Sequence, residues 1–133
     1  DAVVAGGREL RARSWVLATG RFVGGGIVRR GQLLEPLLGI PVQATEAGVS
    51  GTQLVTRPAA SLTVRSRREA QPLLAAGVGI DRLLRPLSAA GAAVHPRLFA
   101  AGAVLGGHEV AADGTGLGVA VLTGYLAGRA AAS

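Results

Sequence analysis

Leu98 to Gly128 reads LFAAGAVLGGHEVAADGTGLGVAVLTGYLAG. An apolar segment, Leu98 to Leu105, predicts a buried strand. A glycine-rich loop, Gly106 to Gly114, follows it, and a small-residue helix is predicted from about Thr115 to Ala131. Strand, loop and helix in that order have the layout of a nucleotide-cofactor crevice in an open α/β sheet, where ligands sit beyond the carboxyl ends of the strands. The other half of such a crevice, a G-x-G-x-x-G after an N-terminal strand, is not in the sequence. The chain therefore reads as the back end of a cofactor-binding protein, from a truncated or partial reading frame.

Glycines 116, 118, 124 and 128 fall inside the predicted helix. Each costs about 1 kcal/mol against alanine in a helix interior. The expectation is that something comes close to them: the sheet, another helix or a cofactor. With 133 residues, 49% hydrophobic and 17% charged, the chain is large and apolar enough for one domain with a real core. Trp15, Phe22, Phe99 and Tyr125 are its aromatics, so Leu, Val and Ala must fill that core. So few rings make no stacking platform for single-stranded nucleic acid. The net charge of +6 comes from 14 arginines and no lysine. They are scattered apart from Arg65, Arg67 and Arg68, as on a solvated basic surface, and no nucleic-acid partner is expected. There is no cysteine, which excludes disulfides, thiolate metal ligands and iron–sulfur ligation by this chain. That fits a cytosolic setting. His95 and His108 match no common metal-ligand spacing, so no metal is expected. The longest apolar run, Gly114 to Gly128, is shorter than the ~20 residues of a membrane span.

Along the chain, Val3-Val4, the pair Gly6-Gly7, and Leu10 to Ala18 predict a strand, a tight turn and a second strand closed by Thr19-Gly20. Pro36 and Pro41 exclude a continuous helix between Leu33 and Val42. Ser61 to Arg65 alternates like a strand, Arg67 to Ala76 predicts a short helix stopped by Gly77, and Val78 to Asp81 and Leu83 to Leu87 predict two short strands. Gly91 to Pro96 is a turn region, and Asp113-Gly114 a turn. Residues 21–91 read as an insertion or cap of mixed α and β character; residues 1–20 and 92–133 read as pieces of one cofactor-binding domain.

Four segments in order carry a resemblance: Ala18-Thr19-Gly20; Glu35-Pro36-Leu37-Leu38-Gly39-Ile40-Pro41-Val42; Gly77-Val78-Gly79-Ile80-Asp81 with Leu84-Arg85-Pro86; and Leu98 to Gly107 leading into the glycine-rich helix start. The chain resembles the C-terminal part of the B-type subunit of anaerobic glycerol-3-phosphate dehydrogenases, and its general plan is similar to fumarate-reductase-type flavoproteins. The resemblance implies an α/β fold, the C-terminal portion of a Rossmann-like FAD/NAD(P)-binding domain with an inserted α+β cap segment. It implies a flavin, FAD or FMN, and a flavin-dependent oxidoreductase. The activity implied is oxidation of glycerol 3-phosphate, a small phosphorylated substrate, to dihydroxyacetone phosphate, with electrons passed toward quinone. Implied partners are a catalytic flavoprotein subunit and an Fe–S membrane-associated subunit, which place the protein in the cytoplasm, peripheral to the inner face of the cell membrane. The fragment alone is expected to be inactive. One departure stands out: where flavoproteins often carry an acidic residue that bonds the ribityl chain, this sequence has Ala103-Val104.

The candidate site follows from these pieces. The amides of Gly116, Leu117 and Gly118 would face the N1/C2 carbonyl edge of the flavin ring, because a helix N-terminus offers unpaired donors and a partial positive charge. Thr19 and Gly20 would line the crevice, and Gly102, Gly106 and Gly107 would let backbone approach the cofactor; ordinary turn chemistry is the competing reading for these five. Arg85 and Arg21 are the arginines best placed for an anionic partner, with a plain surface arginine as the alternative. His108 is the candidate proton donor or acceptor; His95 is given no role. Two other readings stay open. One is a different fumarate-reductase-type flavin oxidoreductase, for which the cap offers Arg57, Arg65 and Arg85. The other is a non-catalytic structural module that has lost flavin binding. The sheet is expected to be mostly parallel, and the isolated chain to be marginal or to associate through exposed strand edges.

Overall fold

The computed structural model describes residues 2–45, 52–54, 59–66, 68, 69, 71–109 and 114–133. Arg57, Arg67, Ala70 and Asp113 lie outside the described residues. Nine strands and two α-helices are ordered along them, with two 3-10 turns at Ala59–Leu62 and Gly102–Val104.

The N-terminal hairpin forms as the glycine pair predicts. β1 (Ala2–Ala5) and β2 (Arg8–Arg11) pair antiparallel, Val4 opposite Glu9, around Gly6 and Gly7, both at positive φ. The second strand does not continue to Ala18 as expected. It breaks at Ala12 to Ser14, and β3 (Trp15–Leu17) joins another sheet. Its partner is β9 (Leu98–Ala100), in parallel register: Trp15 with Leu98, Val16 with Phe99, Leu17 with Ala100. The remaining ladders are antiparallel. β4 (Val28–Arg30), β5 (Gln32–Glu35), β6 (Ile40–Thr45) and β7 (Thr52–Leu54) follow one another in order, and β8 (Gly77–Val78) adds to β6. A single parallel bridge, Val78 with Leu105, ties this sheet to the chain beyond β9. Parallel pairing among the described residues is thus confined to one short ladder and one bridge, less than the sequence led us to expect.

Pro36 and Pro41 do exclude helix, and a buried carboxylate makes the turn between them. Glu35 is fully buried, and its two oxygens accept from the Leu37 N–H at 3.0 Å and the Leu38 N–H at 2.9 Å. Both acceptors are satisfied locally, which is the condition for burying such a group. Ser61 to Arg65 is not a strand: the chain turns through the 3-10 segment, and Leu62 alone of that stretch enters the core. The helix expected from Arg67 shrinks to α1 (Pro72–Ala75), with proline at its first position, where no N–H is needed. Leu83 to Leu87 is a loop with isolated bridges rather than a strand. Its apex, Leu84, has φ +62°, rare for a bulky residue. Asp81 holds it: its carboxylate accepts from the Leu83 and Arg85 amides, both at 2.9 Å, and from Arg85 Nε and Nη2 at 2.7 Å. The Leu84 carbonyl then accepts from the Ala100 N–H at 2.8 Å, closing the far edge of β9.

Alternation along β9 serves two cores. Leu98 and Ala100 join Leu17, Ile40, Val78, Val104 and Leu105. Phe99 and Ala101 face α2 (Gly116–Ala132) through Ala127, with Leu84, Ala130 and Ala131 beside them. A third cluster lies within the antiparallel sheet around Ile27, Leu33, Val42 and Ala76. Isoleucine and Phe99 therefore share the core with the expected Leu, Val and Ala. Residues from the 21–91 segment and from β3 and β9 occupy one common core, since Ile40 and Val78 pack with Leu17 and Leu98.

Neither the sheet nor another helix comes close to the glycines of α2 among the described residues. A Cβ at Gly118, Gly124 or Gly128 would meet no atom within 4 Å. Close approach occurs elsewhere: a Cβ on Gly26 would overlap the Gly20 carbonyl oxygen, and one on Gly77 would overlap the Gly106 nitrogen.

These contacts set the sign of two substitutions. Gly26→Ala should destabilise by about 1–3 kcal/mol through overpacking against backbone that cannot rotate away, whereas Gly124→Ala should stabilise by up to about 1 kcal/mol. Denaturant melts of the two variants check both signs. Burial alone would raise the Asp81 carboxyl, but the Arg85 and Leu83 amides and the Arg85 guanidinium outweigh it and hold the group below its usual range. A depressed folded pKa contributes stability that is present above the unfolded value, about 3.9, and lost as pH falls through the folded value. Asp81→Asn should therefore melt less stably by about 1–3 kcal/mol at neutral pH, and the gap to the parent should narrow below about pH 4.

Candidate functional site

The parallel ladder brings two chain ends to one place. At the carboxyl end of β3 the Leu17 carbonyl accepts from the Ala101 N–H at 3.0 Å. Beyond that bond β3 runs into Thr19 and Gly20, and β9 into the turn at Gly102–Val104. Gly20 (φ +77°) and Gly102 (φ +75°) both take the left-handed conformation that lets the chain leave the sheet sharply. The Gly102 N–H donates to Thr123 Oγ1 at 2.9 Å, and that hydroxyl donates to the Val119 carbonyl at 2.5 Å. This relay fixes the turn against the amino-terminal half of α2, which also packs on β3. Thr19, Gly20 and Gly102 are thereby gathered around the ends of two parallel strands, with α2 held against them at Ala120 and Thr123.

Arg21 holds the same region from the other side. Its Nε donates to the Ala103 carbonyl at 2.9 Å and Nη2 to the Leu105 carbonyl at 2.7 Å. Nη1 donates to the His108 carbonyl at 3.2 Å and also to the Leu74 carbonyl at the end of α1. The side chain is half-buried, and desolvation lowers its pKa, against which the nearby Glu109 carboxylate acts to raise it. Glu109 Oε2 in turn accepts from the Gln71 N–H at 3.2 Å, at the start of α1. Arg21 is thus neither a plain surface arginine nor an open anion receptor. Its fork is occupied by backbone carbonyls. Its position directly after the Ala-Thr-Gly turn was the available signal, but the acceptors lie more than 50 residues away in sequence, beyond the reach of local pattern.

The remaining predicted residues sort by their hydrogen bonds. The Gly106 N–H donates to the Val78 carbonyl at 3.1 Å and the Gly107 N–H to the Ala75 carbonyl at 2.9 Å. A Cβ on Gly106 would sit 3.0 Å from Gly77 backbone. Both glycines serve the packing of the loop on β8 and α1. Gly107 also turns the chain at φ +87°. Gly116, Leu117 and Gly118 form the first turn of α2, where N–H groups have no intrahelical acceptor, and Thr115 supplies no side-chain cap. Leu117 is 80% exposed. His108 is half-buried beside Glu109 on the Arg21-held loop. Arg85 stands apart from this group: its guanidinium is engaged by Asp81 at 2.7 Å, so the charge expected to meet an anionic partner is met within its own loop. His95 lies elsewhere too, where its Nδ1 accepts from the Arg97 N–H at 3.1 Å.

A dinucleotide needs polar groups of the protein that the protein itself has not used. One is present: Thr19 Oγ1 is buried and has no protein hydrogen-bond partner. A hydroxyl so placed can donate to or accept from a polar cofactor. Thr19 also borders a groove of about 160 Å³ lined by Trp15, Leu17, Leu38 and Leu98. Trp15 Nε1 is likewise buried without a partner. Among the described residues there is no cluster of His, Cys, Asp and Glu that could hold a metal, and no helix long and apolar enough to cross a membrane.

Comparison with known proteins gives a relative and a family. A stretch of 56 residues, 42% of this chain, is 57% identical to the B-type subunit of a probable anaerobic glycerol-3-phosphate dehydrogenase from Halobacterium salinarum, with the same values in each of two strains. The matched stretch spans 13% of those relatives' length. No solved structure matches the chain. Residues 2–119 match the FAD binding domain family, which takes in β3, β9 and the first turn of α2. The chain belongs to the FAD binding domain family.

Proposed function

We propose that this chain forms the flavin end of an oxidoreductase akin to the B-type subunit of anaerobic glycerol-3-phosphate dehydrogenase. The observation that carries the reading is the meeting of Thr19-Gly20 and the Gly102 turn, against which α2 packs through Thr123, at the carboxyl ends of two parallel strands, where such sheets hold nucleotides. Thr19 Oγ1 and the amides of Gly116, Leu117 and Gly118 would bind the cofactor. Donors at a helix start favour the negative charge that a reduced flavin carries. Gly20 and Gly102 shape the approach, while Gly106 and Gly107 brace it from behind. When bound, FAD supplies the two-electron acceptor by which glycerol 3-phosphate is oxidised to dihydroxyacetone phosphate, with electrons leaving toward quinone. His108, on the loop that Arg21 holds, is the candidate proton carrier.

In this reading residues 1–20 and 92–133 are the flavin-binding pieces and 21–91 the cap of a Rossmann-like domain. The complete assembly would include a catalytic flavoprotein subunit and an Fe–S membrane-associated subunit, which would hold it at the inner face of the cell membrane. The partial identity to a protein named as one subunit of such a dehydrogenase supports this assignment.

FAD titration followed by flavin fluorescence tests the site. The protein should take up FAD, and Gly118→Leu should weaken binding at least ~10-fold, about 1.4 kcal/mol. A Cβ at Gly118 meets no described atom within 4 Å, so with an unchanged denaturant melt of the variant, lost affinity reports on cofactor approach. Equal affinity in the variant would reject the helix-start contact. Anaerobic bleaching of the bound flavin by glycerol 3-phosphate, and not by other hydroxy acids, is the expected substrate signature.

A further inference from the structure

We infer that Arg21 is a positioning residue that sets the shape of the cofactor-facing loop before FAD arrives; this rests on the flavin reading above. Three of its four acceptors, the carbonyls of Ala103, Leu105 and His108, belong to the segment joining β9 to α2. The fourth, Leu74, belongs to α1. One planar cation thus binds the end of β3, the loop after β9 and the cap helix to one another.

The geometry goes further than a simple tether. In a trans peptide the C=O of one residue and the N–H of the next point in opposite directions. The Leu105 carbonyl is turned to Arg21 Nη2, and the Gly106 N–H on the same peptide is turned to the Val78 carbonyl. That peptide is clamped at both ends and cannot rotate without breaking one bond. A planar fork with five donors can hold several carbonyls at once; a lysine ammonium, a compact point charge with three donors, cannot reproduce that span. The desolvation that lowers the Arg21 pKa also makes its charge-assisted bonds stronger than surface ones. A loop fixed in this way binds its ligand without having to order itself first.

Arg21→Lys keeps the charge and removes the fork. Hydrogen exchange without flavin and FAD titration should be run on the parent and on this variant. We expect exchange at the Leu105, Gly106 and Gly107 amides to rise at least ~10-fold while β9 amides hold, and FAD affinity to fall at least ~10-fold. Arg97→Lys, whose Nη1 reaches only Ser14 Oγ at 3.3 Å, should change neither. Unchanged exchange in Arg21→Lys overturns the clamp. Raised exchange with parental FAD affinity overturns its link to the cofactor. A parent that takes up no FAD rejects the flavin reading itself, and the exchange result still decides whether Arg21 holds the loop.

Discussion

Three residues of parallel ladder govern this molecule. Parallel strands cannot be joined by a tight turn; the chain must travel back to the starting end before it can run alongside itself again. Between Leu17 and Leu98 it therefore makes a long excursion, and that excursion builds the antiparallel sheet, α1 and the Asp81 loop. The ladder survives at so short a length because both faces of β9 are covered, by Leu17, Ile40 and Val78 on one side and by Ala127 of α2 on the other. The far edge of β9 is covered as well, by the Leu84 carbonyl. Buried on both faces, β9 is continuously apolar, which is the usual mark of a parallel strand. The pairing also decides where chemistry is possible, since it alone places residues 18–21 beside residues 101–104.

What the ladder brings together, Arg21 fastens. Carbonyls are weaker partners for a cation than a carboxylate, and a half-buried charge served mainly by carbonyls is costly unless several converge. Four converge here, with Glu109 near enough to offset part of the desolvation. An arginine remains charged across the range in which proteins are folded, so this fastening does not loosen with pH. Arg85 behaves differently. There the partner is a single carboxylate four residues away, and its effect is local: it holds the positive φ of Leu84. Two arginines that look alike in sequence do different work because one finds its acceptors within a turn and the other across the fold.

That difference marks the boundary of what the sequence discloses. The hairpin at Gly6-Gly7, the proline-broken segment at 36–41 and the last helix were all legible, because each is set by residues within a few positions of one another; the strand expected over Leu98 to Leu105 was right at its start but stops at Ala100, where the chain enters the Gly102–Val104 turn. The helix observed from Gly116 to Ala132 lies within one residue of the expected span. Alternation failed at Ser61 to Arg65, where Leu62 alone of the segment is buried and no described strand pairs with it. It failed at Leu83 to Leu87 because Asp81, not periodicity, dictates that backbone. The helix glycines were legible only in part: packing of sheet or helix and approach of a cofactor leave the same mark in sequence, and the open space around Gly118, Gly124 and Gly128 sets aside only the packing.

Hydrogen-bond accounting narrows the site beyond what motif reading allows. Buried backbone donors must be paired, and most of those around the strand ends already are. Gly102 gives its N–H to Thr123, Gly106 to Val78, Gly107 to Ala75, and Leu105 to the Gly102 carbonyl. A glycine whose amide is spent inside the protein offers a ligand space but no bond. The donors left over by the rules of helix geometry are the first-turn amides of α2. They stand at the positive end of a 17-residue helix that Thr123 fixes against the Gly102 turn. The loop glycines therefore act as scaffold, and the receptor proposed above is the helix start. In that division of labour the rigidity of the loop matters more than its chemistry, because the same relay that spends the Gly102 amide also sets the position of α2 against β3.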